Sequence, residues 1–188
     1  MNRLGILMLT LLFYPLLGSA DEPKQADKPK VAVGEKAPEF KIKGSDGKII
    51  DLSELTAKGP VLLRLTCGCA GCDKELAYFQ ALNDAYKTQG LTCLFVFKEP
   101  DAKIAKYAQD KKLNMLYAVD SKGDAWNVFQ TKTMPTNFLI EKGGKIVAVA
   151  AGCEASGLID QKLSGKVAET IKTDAVDVKA KVQDKKDK

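Results

Sequence analysis

Apolar residues along the chain fall into short runs and regularly spaced sets, and their spacing predicts strands alternating with helices. Residues 39–42 and 48–51 read as two short strands joined by Gly44-Ser45-Asp46-Gly47. An Asp-Gly pair between alternating apolar residues is a hairpin signal. Residues 52–55 suit one helical turn capped by Asp51 or Ser53. After the Gly59-Pro60 turn, Val61-Leu62-Leu63-Arg64-Leu65 has the composition of a buried strand. Leu76, Phe79, Leu82 and Tyr86 then recur at helical spacing, in a helix expected to begin near Asp73 and to stop at Gly90. Residues 91–97 form the next strand, Asp101 caps a helix carrying Ile104, Tyr107 and Ala108, and 115–119 and 124–129 read as a strand and a short helix. Strands at 136–140 and 145–150 surround the turn Lys142-Gly143-Gly144. Ile159, Leu163, Val167 and Ile171, at four-residue intervals, give a last helix one side to lay on the sheet.

The ends of the chain break this rhythm. Met1-Asn2-Arg3, an apolar run over 4–17 and Gly18-Ser19-Ala20 describe a secretory signal peptide cleaved after Ala20, which would put the protein in the periplasm or outside the cell. The apolar run is shorter than the ~20 residues that span a bilayer. Membrane attachment is therefore expected only if residues 1–20 stay uncleaved. Residues 21–32, polar and proline-containing, read as a linker, 33–172 as one domain, and 173–188, where charge dominates, as a disordered tail.

With 188 residues, 45% of them hydrophobic, the chain can bury a core without disulfide staples. Its net charge of +5 falls to +4 without Arg3 and is interspersed with acids, which gives no case for nucleic-acid binding. Histidine is absent, and this excludes a Cys-His protease dyad, a His-ligated copper or zinc site and a C-x-x-C-H haem attachment.

The chemistry lies in five cysteines, three of them in Cys67-Gly68-Cys69-Ala70-Gly71-Cys72. Cys69 and Cys72 form a C-x-x-C pair where a strand passes into a helix. Exposed amides and the positive helix end there stabilise a thiolate, so the first cysteine can attack a disulfide and the second resolve it. Cys93, inside a strand, reads as a buried inert thiol.

The order strand, C-x-x-C, helix, strand, helix, X-Pro, hairpin, helix resembles the thioredoxin-like superfamily, in particular its exported TlpA and ResA kind of thiol-disulfide oxidoreductase, grouped with redoxin and AhpC/TSA domains. Val33-Gly34-Glu35-Lys36-Ala37-Pro38-Glu39-Phe40 resembles the family's opening segment. Asp46-Gly47-Lys48 with Leu52-Ser53-Glu54-Leu55, Met134-Pro135-Thr136-Asn137-Phe138-Leu139-Ile140 and Gly143-Gly144-Lys145-Ile146-Val147 resemble its later motifs. The resemblance implies an α/β, thioredoxin-like fold: a central mixed β-sheet flanked by helices, with an N-terminal β-hairpin extension. It also implies that Cys69 attacks, that Cys72 resolves and that Pro135 is a cis-proline facing them. Met134 would pair its backbone with a substrate chain, and Glu75 would adjust thiol ionisation. An acid at position 75 is equally an ordinary first-turn helix carboxylate. The partners implied are protein thiols and disulfides together with a redox donor of unspecified identity, and no cofactor is needed.

The chain departs from the family in two places. Thr66-Cys67-Gly68 replaces an aromatic segment, and Ala70-Gly71 replaces the usual x-Pro. The helix N-terminus is then the main stabiliser of the Cys69 thiolate, which predicts a reducing couple, nearer about −270 mV than about −120 mV. Cys67 and Cys153 are possible auxiliary redox residues. Cys67 could pack as a small hydrophobe, exchange with the 69–72 pair or bridge to Cys153. Two other functions compete. A peroxiredoxin-like peroxidase would use Cys69, but Leu62 stands where that signature has Pro, and Arg64 is the only arginine after residue 20. A Cys-cluster metal-binding protein would use Cys67, Cys69 and Cys72; no histidine and no second C-x-x-C support it, and no metal is assigned.

Overall fold

The computed structural model describes residues 30–186. The expected signal peptide and nearly all of the linker lie outside them. Among the described residues, no helix is long and apolar enough to cross a membrane.

A small antiparallel ladder of β1 (Lys41–Lys43) and β2 (Ile49–Asp51) makes the N-terminal hairpin extension. Asp51 then caps α1 (Leu52–Lys58), its carboxylate accepting from the Ser53 amide at 2.8 Å. The helix runs past the single expected turn. It ends at Gly59, where a Cβ would collide with the carbonyl oxygen of Gly90.

The main sheet has five strands in the order β5-β4-β3-β6-β7, with β3 (Val61–Thr66), β4 (Thr92–Phe97) and β5 (Leu116–Val119) parallel and β6 (Thr136–Ile140) and β7 (Ile146–Ala151) antiparallel to their neighbours. It is the mixed α/β sheet that the sequence predicts. All six residues of β3 are buried because both faces of this central strand are covered.

Strand alternation divides the core. Leu62, Phe95, Phe97 and Leu139 turn to the face covered by α2 (Ala70–Tyr86), α3 (Asp101–Asp110) and α5 (Leu158–Ile171). Val61, Leu63, Leu65, Phe138 and Ile140 turn to the other face, against Phe40, Leu52 and the short α4 (Asp124–Val128) with Trp126. By the same alternation, Arg64 shares the face of Leu62 and lies under α2.

The start of α2 differs from the sequence reading, whereas its stop at Gly90 agrees with it. α2 starts at Ala70, not near Asp73, so the C-x-x-C pair is inside the cap and first turn. It passes through a 3-10 turn (Lys87–Gln89) to Gly90, which takes φ +98°.

The expected disordered tail is corrected by α6 (Val178–Lys186). Asp177 caps it, accepting from the Lys179 and Ala180 amides at 3.0 Å, and Val178 and Val182 are buried in the same cluster as residues of α2 and α5. The segment leading in is held from below. Tyr86 Oη, itself 2.8 Å from Ser164 Oγ, accepts from the Val176 amide at 2.8 Å, and Ser164 Oγ donates to the Val176 carbonyl at 2.7 Å. Two apolar residues in a lysine-rich helix are too few to stand out as a periodic stripe.

Val178 is fully buried, so Val178→Ala should lower unfolding stability by roughly 2 kcal/mol. Urea denaturation checks it, and an unstructured tail would show no change.

Candidate active site

Strand register brings the site together at one end of the sheet. β3 ends at Thr66, and Leu65 pairs with Thr136, so Pro135 comes opposite the end of β3, one residue before the cysteine cluster. Thr136 pairs in turn with Ala151, and the Gly152 amide donates to the Pro135 carbonyl at 2.8 Å, which brings Cys153 to the same rim. The Met134-Pro135 bond is cis, and Met134 is half-buried against the core.

Cys69 is the N-cap of α2, extended at φ −92° and exposed, while Cys72 one turn on is buried. Cys67, half-buried, comes from the loop between β3 and α2. The three sulfurs form a triangle. Cys67 Sγ donates to Cys69 Sγ at 2.7 Å, Cys67 and Cys72 are 3.4 Å apart, and Cys69 and Cys72 are 3.7 Å apart.

Donation from Cys67, and then the Cys72 amide, holds the Cys69 thiol down at about 7. Burial pushes Cys67 up to about 12, and its hydrogen bonds to Cys69 and Cys72 add to that. The neutral thiol at 67 therefore serves the thiolate at 69, in addition to the helix N-terminus. Cys93 is buried in β4 and pushed up to about 12 by that burial.

Beneath the cluster lies a buried ion pair. Arg64 Nη2 donates to Glu75 Oε2 at 2.6 Å, Arg64 Nη1 donates to Asn137 Oδ1 at 3.0 Å, and the guanidinium carbon sits 4.2 Å from the Phe79 ring centroid. Glu75 is fully buried and also accepts from the Glu154 amide at 2.8 Å. It is thus not a surface helix carboxylate, and it ties α2 to both β3 and the loop after β7.

Cys153 does not face Cys67. Its thiol donates to the Gly71 carbonyl at 3.0 Å, and both cysteines are free thiols, so the bridge considered from sequence is not made. Burial, followed by the nearby Glu75 charge, pushes Cys153 up to about 11.

Sequence reasoning missed Asp160. It is fully buried in α5, with no hydrogen-bond partner for either carboxylate oxygen among the described residues, and is held up at about 7 first by burial and then by the Glu75 charge. Nothing in its sequence context marks it. Arg64 carried a signal, a lone cation inside an apolar strand.

Residues 33–149 match the AhpC/TSA family. A thiol-disulfide oxidoreductase ResA from Geobacillus thermodenitrificans is 30% identical over 159 residues, 84% of this chain and 89% of its own length. A candidate DsbE thiol:disulfide interchange protein from Chlorobium tepidum aligns with a TM-score of 0.69 at 24% identity, over 76% of this chain and 99% of its own. The peroxidoxin BcpB from Mycobacterium tuberculosis aligns with a TM-score of 0.61 at 22% identity, over 74% and 96%, and so shares the fold.

The chain belongs to the AhpC/TSA family and has the thioredoxin-like fold. Within that class it is a thiol-disulfide oxidoreductase similar to the ResA proteins.

Two predictions arise from this geometry. With Cys69 held at about 7, its thiolate is present above that pH and lost as pH falls through it. Iodoacetamide alkylation of the reduced, chelator-treated protein should therefore rise with a midpoint near 7, and Cys67→Ala should move the midpoint up towards the ordinary thiol range. Separately, Arg64→Met leaves the Glu75 charge buried without its cation and should cost about 3–5 kcal/mol by urea denaturation, with Arg64→Met/Glu75→Gln recovering part of the loss.

Proposed function

We propose that the protein is exported and exchanges disulfides with protein partners through Cys69 and Cys72. The observation that carries the reading is the Cys69 sulfur at the N-cap of α2, exposed and held at about 7, with the Cys72 sulfur 3.7 Å behind it. The Cys69 thiolate attacks one sulfur of a partner disulfide. A new sulfur–sulfur bond forms as the partner's breaks, and the leaving thiolate takes a proton from solvent. Cys72 then gives up its proton and attacks Cys69 Sγ. This closes the 69–72 disulfide and frees the second partner thiol. Two electrons pass to the partner, and a separate dithiol donor must restore the reduced pair.

Met134, just before the cis bond, is where an extended partner segment would lay its backbone beside the cluster. Glu75 acts as a positioning residue, through the ion pair that fixes the first turn of α2 over β3. The absence of a Pro or His between the cysteines supports a reducing couple, near about −270 mV. Residues 1–20 supply the export signal, giving a periplasmic or secreted protein.

The peroxidase reading has less support. Arg64, the only arginine after residue 20, is 1% exposed and engaged by Glu75 and Asn137, so its guanidinium is not free to activate peroxide at Cys69.

One set of measurements tests the proposal. Insulin-disulfide reduction should be lost in Cys69→Ser with the fold retained, the wild-type potential should fall near thioredoxin's, and the native protein should begin at Asp21 by mass. Unchanged turnover in Cys69→Ser would refute the assignment of the attacking thiol.

A further inference from the structure

Cys67 adds a third sulfur to a pair that needs only two for disulfide exchange. The sulfurs of Cys67, Cys69 and Cys72 all lie within 4.8 Å of one another, with edges of 2.7, 3.4 and 3.7 Å. Three thiolates on one metal at about 2.3 Å in a plane would stand about 4.0 Å apart. All three edges lie inside that span, so the thiols need only rotate outwards to admit an ion at the centre of the triangle.

The nearby hard donors are committed elsewhere. Asp73 accepts from Tyr107 Oη at 3.1 Å and from Lys111 Nζ at 2.7 Å, and Glu75 holds Arg64. The donor set is therefore sulfur alone, which favours a soft ion. It is also three sulfurs and not four, because the Cys153 thiol turns to the Gly71 carbonyl. A structural zinc takes four ligands in a tetrahedron, and an iron–sulfur cluster takes four cysteines. Cu(I), a soft monovalent ion, is satisfied by three thiolates. The missing histidine and second C-x-x-C count against zinc and have no bearing on a trigonal Cu(I) site. The excess negative charge of three thiolates on a monovalent ion would lie at the amides that open α2, where anionic groups are stabilised.

We propose that Cys67, Cys69 and Cys72 form a three-thiolate site for Cu(I), open to solvent at Cys69. This goes beyond disulfide exchange while using two of the same sulfurs, so the reduced protein holds either the ion or a reactive Cys69.

The test titrates the fully reduced, metal-free protein anaerobically with Cu(I) acetonitrile complex against bathocuproine disulfonate. One Cu(I) per chain is expected, with copper X-ray absorption counting three sulfurs. Cys67→Ala, checked for folding by circular dichroism, should weaken binding on the order of 100-fold, the upper end of what losing even an outer-shell partner does. Cys153→Ser should bind copper as the wild type does. Two sulfurs at copper, or equal affinity in folded Cys67→Ala, would overturn the proposal, as would failure of the wild type to compete. The sulfur count holds even if the variant does not fold. Insulin reduction by the copper-free wild type reports the exchange activity separately, so loss of either reading is told apart from loss of the other.

Discussion

The buried Arg64–Glu75 pair is the interaction on which the arrangement of the site depends. A guanidinium and a carboxylate, both almost wholly removed from water, are held at 2.6 Å between the central strand and the helix that carries the cysteines. Desolvating two charges costs several kcal/mol each, and the pair holds only because its remaining groups are satisfied. Asn137 takes a second guanidinium hydrogen, the Phe79 ring lies against the guanidinium, and the Glu154 amide fills the other oxygen of Glu75. Those partners come from β6, α2 and the loop after β7, so one ion pair fixes four parts of the chain under the reactive sulfurs.

The pair also sets the electrostatics above and beside it. Glu75 adds its charge to the burial that raises Cys153 and Asp160, whereas Arg64 opposes both rises. Cys69 is governed from above. Its thiolate is held by the Cys67 thiol and the first amides of α2, with no contribution from a histidine or from a proline inside the pair. Cys67 thus takes over part of what the neighbouring residues would otherwise do. It can donate because its burial keeps it protonated where Cys69 is not.

Much of the fold was legible because each strand and long helix carries its period in apolar residues. The five main strands fall close to the predicted segments, and α2 shows its spacing in Leu76, Phe79 and Tyr86. The helix start was misplaced because Cys69, Ala70 and Gly71 have no apolar period, and Cys69 caps α2 without a side-chain hydrogen bond, so none of the usual capping residues marks the position. α6 was hidden because two valines sit among lysines, and its anchoring depends on Tyr86 and Ser164, distant in sequence. The C-x-x-C pair and the proline were plain as a local pattern. The Arg64–Glu75 pair was not, since it requires knowing that strand parity turns Arg64 towards α2. Asp160 is more extreme still, one acid among many until tertiary burial separates it from water.

The fold itself does not choose between disulfide and peroxide chemistry, since a peroxidoxin and a candidate interchange protein both share it. The placement of positive charge discriminates. Peroxide gives a poor leaving group and needs a donor held over its oxygens. A disulfide brings its own leaving group, a thiolate whose departure depends on its acidity. Among the described residues the one guanidinium, that of Arg64, lies below the sheet-facing side of α2, bound to a carboxylate, and what remains at Cys69 are amide dipoles and a neighbouring thiol. Such a site favours ionisation of the attacking sulfur without activating an oxygen electrophile, and sulfur is the electrophile that it suits.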